Sequence, residues 1–284
     1  MAVIQNKIDF AAVIMVKNAN PNGDPLNGNR PRVTYDGLGE ISDVCLKRKI
    51  RNRLLEKGQG IFVQSDDYKF DEYPSLYSRA TGELPKEAFK DKALLRKLSC
   101  EKWYDVRAFG QLFAFKGSEA KGVSEGIRGP VSIHPAFSVL PVNASTVQIT
   151  KSVSSEGDGS KRGSDTMGMK HRVDHGAYVF YGSINPQLAT RTGFSQEDAL
   201  LMKEALIHLF DNDASSARPE GSMELYKLIW WEHGNPTGQY SSAKVHRTLK
   251  VSLKEGITEP KDIDDYVIQV EPMEGLVPEI LDGN

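Results

Sequence analysis

Cysteine is scarce: Cys45 and Cys100 are the only two in 284 residues. They form no CxxC pair and no disulfide framework, which suits a reducing cytoplasm. Long apolar runs are missing as well, and no stretch reaches the roughly 18 residues that a membrane-spanning helix needs. The N-terminal apolar segment is short, is interrupted by Asp9 and has no small-residue cleavage site after it, so it reads as a strand rather than a signal peptide. Signatures of phosphate-cradling and hydrolytic sites are absent too: no P-loop, no GxSxG elbow, no HExxH, and no GxGxxG between a strand and a helix. There is no internal repeat and no heptad pattern. Nothing asks for a cofactor or a metal, and no catalytic residue is assigned.

A one-sided charge is also lacking, since 36 Lys and Arg face 38 Asp and Glu. The distribution is uneven, however. Residues 1–60 hold ten cationic against six acidic side chains, and residues 116–172 hold eight against five. Residues 255–284 hold one against nine, so an acidic C-terminal segment offsets basic territory elsewhere. Phosphate binding requires a basic face, not a high global charge. With 39% hydrophobic and 26% charged residues the chain reads as soluble and globular. Its length fits one elaborated domain or two small ones.

Alternation from Ile8 to Val16 predicts a strand. The following KNANPNGDPLNGNRPR is dense in Asn, Gly and Pro and predicts a loop. Ser42 is placed to cap a helix that runs to about Lys57 and stops at Gly58, with Leu46, Ile50 and Leu54 as its apolar stripe. Residues 59–102 are mixed and irregular, with a short helical patch near 86–97, and read as an insertion. Further strands are expected at Val106–Phe115, Pro130–Val142, from Gly176 onward, and at Met223–Trp231. Ser195 and Asp198 form a capping-box-like start to a helix ending at Phe210. With one strand folded into a hairpin, the order reduces to βαββαβ, an α+β, ferredoxin-like arrangement shared with RNA-recognition motifs. The stretch Ser152–Arg172 is too polar for a core and is expected to protrude as a hairpin or arm.

Two features point to nucleic acid. The first helix carries Lys47, Arg48, Lys49, Arg51 and Arg53, five cations in seven positions that repel one another unless anions are near. Lys47 and Arg51 share one side of the stripe and are expected to be exposed, and Arg30 and Arg32 in the preceding loop add further cations. The arm holds Lys151, Lys161, Arg162, Lys170, His171 and Arg172, with Met167 and Met169 near its end. Cations hold a phosphate backbone without reading sequence, and apolar tips wedge between stacked bases. His171 and His175 lie four apart, but Gly168 and Gly176 flank them and no third ligand is evident, so they read as phosphate-touching polar residues rather than a metal site. Asp24 and Asp36 read as turn residues. No RNP1-like aromatic octamer occurs, and the rings of AYVFY are expected in the core.

These blocks together resemble the Cascade backbone subunits of type I CRISPR systems, the Cas-seven family, and most closely the Csd-type member of subtype I-C. The resemblance rests on NANPNGDPLNGNRPR after the first strand and on EISDVCLKRKIR, which matches I-S-x-x-x-L-K-R-x-x-R. It rests also on VRAFGQLFAF, GIRGPVSIHPAFSVLPV and DTMGMKHRVDHGAYVFYGSIN, and it spans Lys7 to Pro186, with the Ser195–Phe210 helix continuing it. The resemblance implies a modified ferredoxin-like or RNA-recognition-motif palm at about 1–58, 103–142 and 175–250. It implies a finger insertion at about 59–102 and a thumb hairpin at about 143–174. It further implies a non-catalytic subunit whose copies stack head-to-tail along a CRISPR guide RNA and leave bases free to pair with a target DNA strand. Small, large and guide 5′-end-capping Cascade subunits would be its other partners, in the cytoplasm and away from membranes. Guide phosphates would be held by Lys47, Arg48 and Arg51, with Met167 as the wedge and Lys170 and Arg172 beside it. Related type III subunits cut RNA with an aspartate after the first strand, so Asp24 or Asp36 marks an enzymatic alternative. A stand-alone single-strand RNA-binding protein is the other.

Overall fold

The computed structural model describes residues 2–115, 124–150 and 167–283. In chain order, β1 (Ile8–Ala19) leads into a loop holding the two-residue strands β2 (Gly23–Asp24) and β3 (Arg30–Pro31), then β4 (Leu38–Ile41) and α1 (Asp43–Glu56). Next come α2 (Leu76–Glu83), α3 (Lys92–Lys102), α4 (Tyr104–Phe109), β5 (Gly110–Ala114) and β6 (Ser124–Arg128). The strands β7 (Val131–Ile133), β8 (Ala136–Pro141) and β9 (Ala144–Thr150) precede the 18-residue β10 (Met167–Ile184). The rest is α5 (Pro186–Thr192), α6 (Gln196–Ile207), β11 (Met223–Glu232), α7 (Ser242–His246), β12 (Leu249–Leu253), β13 (Tyr266–Val270) and β14 (Glu279–Asp282).

One large antiparallel sheet runs β14-β11-β1-β10-β8-β4, with β7 and β9 pairing other parts of β10. β1 is buried along nine consecutive residues, as a central strand covered on both faces must be. On its first face Phe10, Ala12, Ile14 and Val16 pack with Leu46, Ile50 and Leu54 of α1 and with Ala199, Met202 and Leu206 of α6. The expected caps form: the Ser42 hydroxyl accepts from the Cys45 amide, and Ser195 and Asp198 close a capping box. Helix α1 ends one residue short of the expected Lys57, with Gly58 at φ 76° just beyond it.

The second face carries Ala11 and Val13 beside Ile229 and Trp231, and it is covered by Val245, Leu249 and Leu276 from the C-terminal segment. The acidic C-terminal stretch is thus part of the fold rather than a charged appendage. Four of its carboxylates already meet lysines of the same chain: Asp262 with Lys17, Glu271 with Lys250, Glu279 with Lys203 and Asp282 with Lys227.

Two expected strands take another form. VRAFGQLFAF begins as helix α4 and becomes strand only at Gly110, whose φ of 83° ends the helix. An added Cβ there would lie 2.2 Å from the Ile127 carbonyl oxygen, so only glycine fits. The 130–142 strand is split into β7 and β8 around His134 and Pro135. The aromatic core of the 59–102 region is completed by Trp103, Val106, Phe113 and Ile127, so this layer continues past residue 102.

Candidate nucleic-acid interface

The arm is an antiparallel hairpin in which Ala144–Thr150 pairs with Met167–Val173. It leaves the sheet where β1 ends, at the Ala19–Val173 pair. Pairing alternates side chains between faces, so Met167, Met169 and His171 share one face while Lys170 and Arg172 share the other with Val147. Met167 is 66% exposed and Met169 57%. Lys170 is exposed and has no ion-pair partner among the described residues. His171 Nδ1 lies 2.9 Å from the Thr146 hydroxyl, and Arg172 donates to Ser145 at 3.3 Å with Asp174 at 3.6 Å. Neither paired segment, 144–150 or 167–173, contains an Asp or Glu, and Asp174 follows at the root. Lys151, Lys161 and Arg162 lie outside the described residues.

The loop with Arg30 and Arg32 is tied to the start of α1, because the Asn22 side-chain oxygen accepts from both the Ser42 amide and its hydroxyl. β3 also touches β10, so this loop adjoins the root of the hairpin. Arg30 is exposed, whereas Arg32 is partly buried with Asp24 at 3.8 Å. Asp24 caps the turn at Pro25–Asn27, accepting from the Leu26 amide, and Asp36 sits in an exposed turn.

The α1 cations divide differently from the sequence expectation. The anions that separate them belong to the protein itself. Lys47 pairs with Asp43 at 2.9 Å and lies over the Phe109 ring. Arg51 is largely buried, donates to Asp105 at 2.9 Å and also lies against Phe109, which corrects the expectation of an exposed side chain. Lys49 is buried against Asp213, and burial holds its ammonium below the usual lysine range although Asp213 pulls the other way. Arg53 is buried beside Glu56 at 2.5 Å. Arg48 alone of the five has no ion pair among the described residues and stays partly exposed. Chain order hides this division because Asp105 and Asp213 are remote from α1 in sequence.

The family model for the CRISPR-associated protein Cas7 matches residues 6–271, nearly the whole chain. The chain belongs to the Cas7 family. One relative, the CRISPR-associated protein Cas7 of Haloferax volcanii, is 28% identical over 247 residues, covering 81% of this chain and 72% of the relative. Among solved structures, a chain of a pre-nicking CRISPR RNA-guided surveillance complex aligns at a TM-score of 0.49 and 16% identity, covering 89% of this chain and 84% of that one. A chain of another CRISPR RNA-guided surveillance complex aligns at 0.44 and 16%, covering 79% and 68%.

Within this Cas7-family chain, His171 and His175 lie on one strand, about 13 Å apart, too far to share a metal ion. His175 is packed against Tyr266, and neither ring nitrogen has a hydrogen-bond partner among the described residues. Its burial holds the imidazole below the usual histidine range. Burial pushes the Cys100 thiol up to about 12, so it is an inert core group. No helix of the described residues is long and apolar enough to cross a membrane. The rings of AYVFY are only partly core: Tyr178 and Phe180 are buried, while Tyr181 faces the other side of the sheet and lines a cleft there.

Proposed function

We propose that this Cas7-family chain is the backbone subunit of a CRISPR surveillance complex of type I, subtype I-C, and that it binds guide RNA without cutting nucleic acid. Copies stack head-to-tail along the guide and hold it for pairing with target DNA, in company with the other Cascade subunits. The observation that carries the reading is the β9–β10 hairpin. It is a two-stranded arm with exposed Met167 and Met169, cationic Lys170 and Arg172, and no carboxylate within 144–150 or 167–173, Asp174 standing at its root. Such an arm binds phosphate irrespective of sequence and supplies apolar tips that part neighbouring bases. In this reading the hairpin is the thumb, residues near 59–102 are the finger, and the sheet with α1 and α6 is an RNA-recognition-motif palm. The order β11-β1-β10-β8 with crossover helices α1 and α6 on one face supports that palm. Arg30 and Arg48, exposed or free of ion pairs, are the best placed of the remaining cations to join the arm.

The test combines stoichiometry with charge reversal. Native mass spectrometry of protein on RNAs of increasing length is expected to show more copies on longer RNA. Lys170→Glu with Arg172→Glu is expected to weaken binding and to flatten its salt dependence by about 0.7 in slope per lost phosphate contact. A fixed one-to-one complex at every length would refute the stacked reading. Regular cleavage of complementary RNA with magnesium, lost in Asp24→Ala or Asp36→Ala, would refute the non-catalytic one.

A further inference from the structure

A cleft of about 510 Å³ opens on the sheet face opposite α1 and α6, between the β8–β10 half of the sheet and β12. Its floor is set by register. Phe137 and Val179 are direct cross-strand partners and so share a face, and Tyr181 lies two residues further along the same face of β10. Phe137 is 40% exposed although it is a large apolar ring. Tyr181 is held from behind: its ring stacks on His246 at 4.8 Å, and His246 Nε2 is 3.1 Å from the Gly182 carbonyl oxygen. The roof is different in kind. Residues 249–252 line the cleft consecutively, as a strand edge does and a strand face does not. β12 pairs only with β13 among the described strands, so its second edge carries free backbone donors and acceptors.

Charge narrows the occupant. The C-terminal region is strongly acidic, yet no carboxylate lines this cleft, and Lys250 is its one charged lining residue with the His134 imidazole at the rim. Lys250 is 3.9 Å from Glu271, and both side chains are more than half exposed, so that pair is readily exchanged for another anion. Two rings, a backbone edge and one loosely paired cation match a planar base carrying hydrogen-bonding edges and a phosphate. Pockets for such small ligands fall in the range of roughly 300–1,000 Å³.

We propose that this cleft holds one nucleotide of a bound single-stranded RNA, with its base against Phe137 and Tyr181 and its phosphate at Lys250. The proposal rests on the RNA-binding reading above and adds a second contact site. Val179 and Tyr181 lie six and eight residues beyond Val173, about 20–26 Å along the strand from the root of the hairpin.

The test uses the full-length chain and oligouridine RNA carrying 4-thiouridine, crosslinked by near-ultraviolet light and mapped by mass spectrometry. Crosslinks at Phe137, Tyr181 or residues 249–252 are expected. Phe137→Leu combined with Lys250→Ala is expected to weaken binding roughly tenfold, the loss of one base stack, without a change in melting temperature. Crosslinks confined to the hairpin and α1, with affinity unchanged in the variant, would overturn the cleft site and leave the RNA-binding reading standing. Failure of the unmodified protein to bind the RNA at low salt would overturn both. Concentration-dependent hydrogen-exchange protection of 249–252 without RNA would assign the cleft to protein contact and overturn the proposal.

Discussion

Replacing Arg51 by alanine separates the two jobs of helix α1, holding the fold and offering charge. Arg51 donates to Asp105, whose side chain is 1% exposed and also accepts from the amides of Phe62 at 2.7 Å and Val63 at 3.0 Å. The pair therefore joins α1 to the start of the insertion and to α4. Removing one partner of a buried pair costs about 3–5 kcal/mol because the other charge is stranded. Here two amides remain on Asp105 and the Arg51 side chain is itself 13% exposed, so the loss is about 2–3 kcal/mol. For a chain of 284 residues that corresponds to a fall in melting temperature of about 3–5 °C. Arg48→Ala, which breaks no ion pair among the described residues, should shift stability by no more than about 0.5 kcal/mol while weakening RNA binding. Urea unfolding followed by tryptophan fluorescence measures both variants. An Arg51→Ala protein that melts within about 1 °C of the parent refutes the argument.

Asp213→Ala should destabilise the fold more than Lys49→Met does. The first leaves a buried ammonium unpaired, whereas the second leaves Asp213 with Arg218 at 3.0 Å; the order of their unfolding midpoints checks this. Gly110→Ala should cost more than about 1 kcal/mol because both the φ of 83° and the Ile127 carbonyl oppose a Cβ, and a midpoint equal to the parent's would contradict that steric account. Burial lowers the His175 pKa, so the unfolded chain takes up this proton first as pH falls. The stability linked to His175 is therefore complete above about pH 6.5 and is lost as pH falls through the folded-state value. His175→Phe should show a shallower loss of melting temperature than the parent between about pH 7.5 and 5.5, and parallel curves would show that His175 does not titrate across this range.

Local signals were readable wherever a short segment decides its own state. Ser42 and Ser195 announce their helices because a cap needs only the next three residues. β1 is evident because its alternation survives burial on both faces. Val106–Phe115 reads as strand because it is rich in apolar and aromatic residues, yet Gly110 imposes a helix end that the nearby Ile127 backbone explains. Arg51 reads as exposed because its neutralising partner, Asp105, arrives through tertiary packing, as Asp213 does beside Lys49. The acidic C-terminal segment shows only its charge in sequence, because Tyr266 and Leu276, the residues that seat it, are too sparse to make a periodic pattern. For the candidate site, the hairpin cations were visible in sequence, whereas the cleft depends on a cross-strand register that no local pattern encodes.

β10 is one unbroken strand of 18 residues, about 60 Å long, that begins in the hairpin and ends deep in the central sheet. The arm consequently works as a lever without a joint. Its pointing direction is inherited from the twist of the sheet, and a load applied near Met167 is resisted by the β1 ladder rather than relieved by bending at a linker. A pull on the arm would thus be felt as shear between the two innermost strands, and the grip of the hairpin on any bound strand is as stiff as the core behind it.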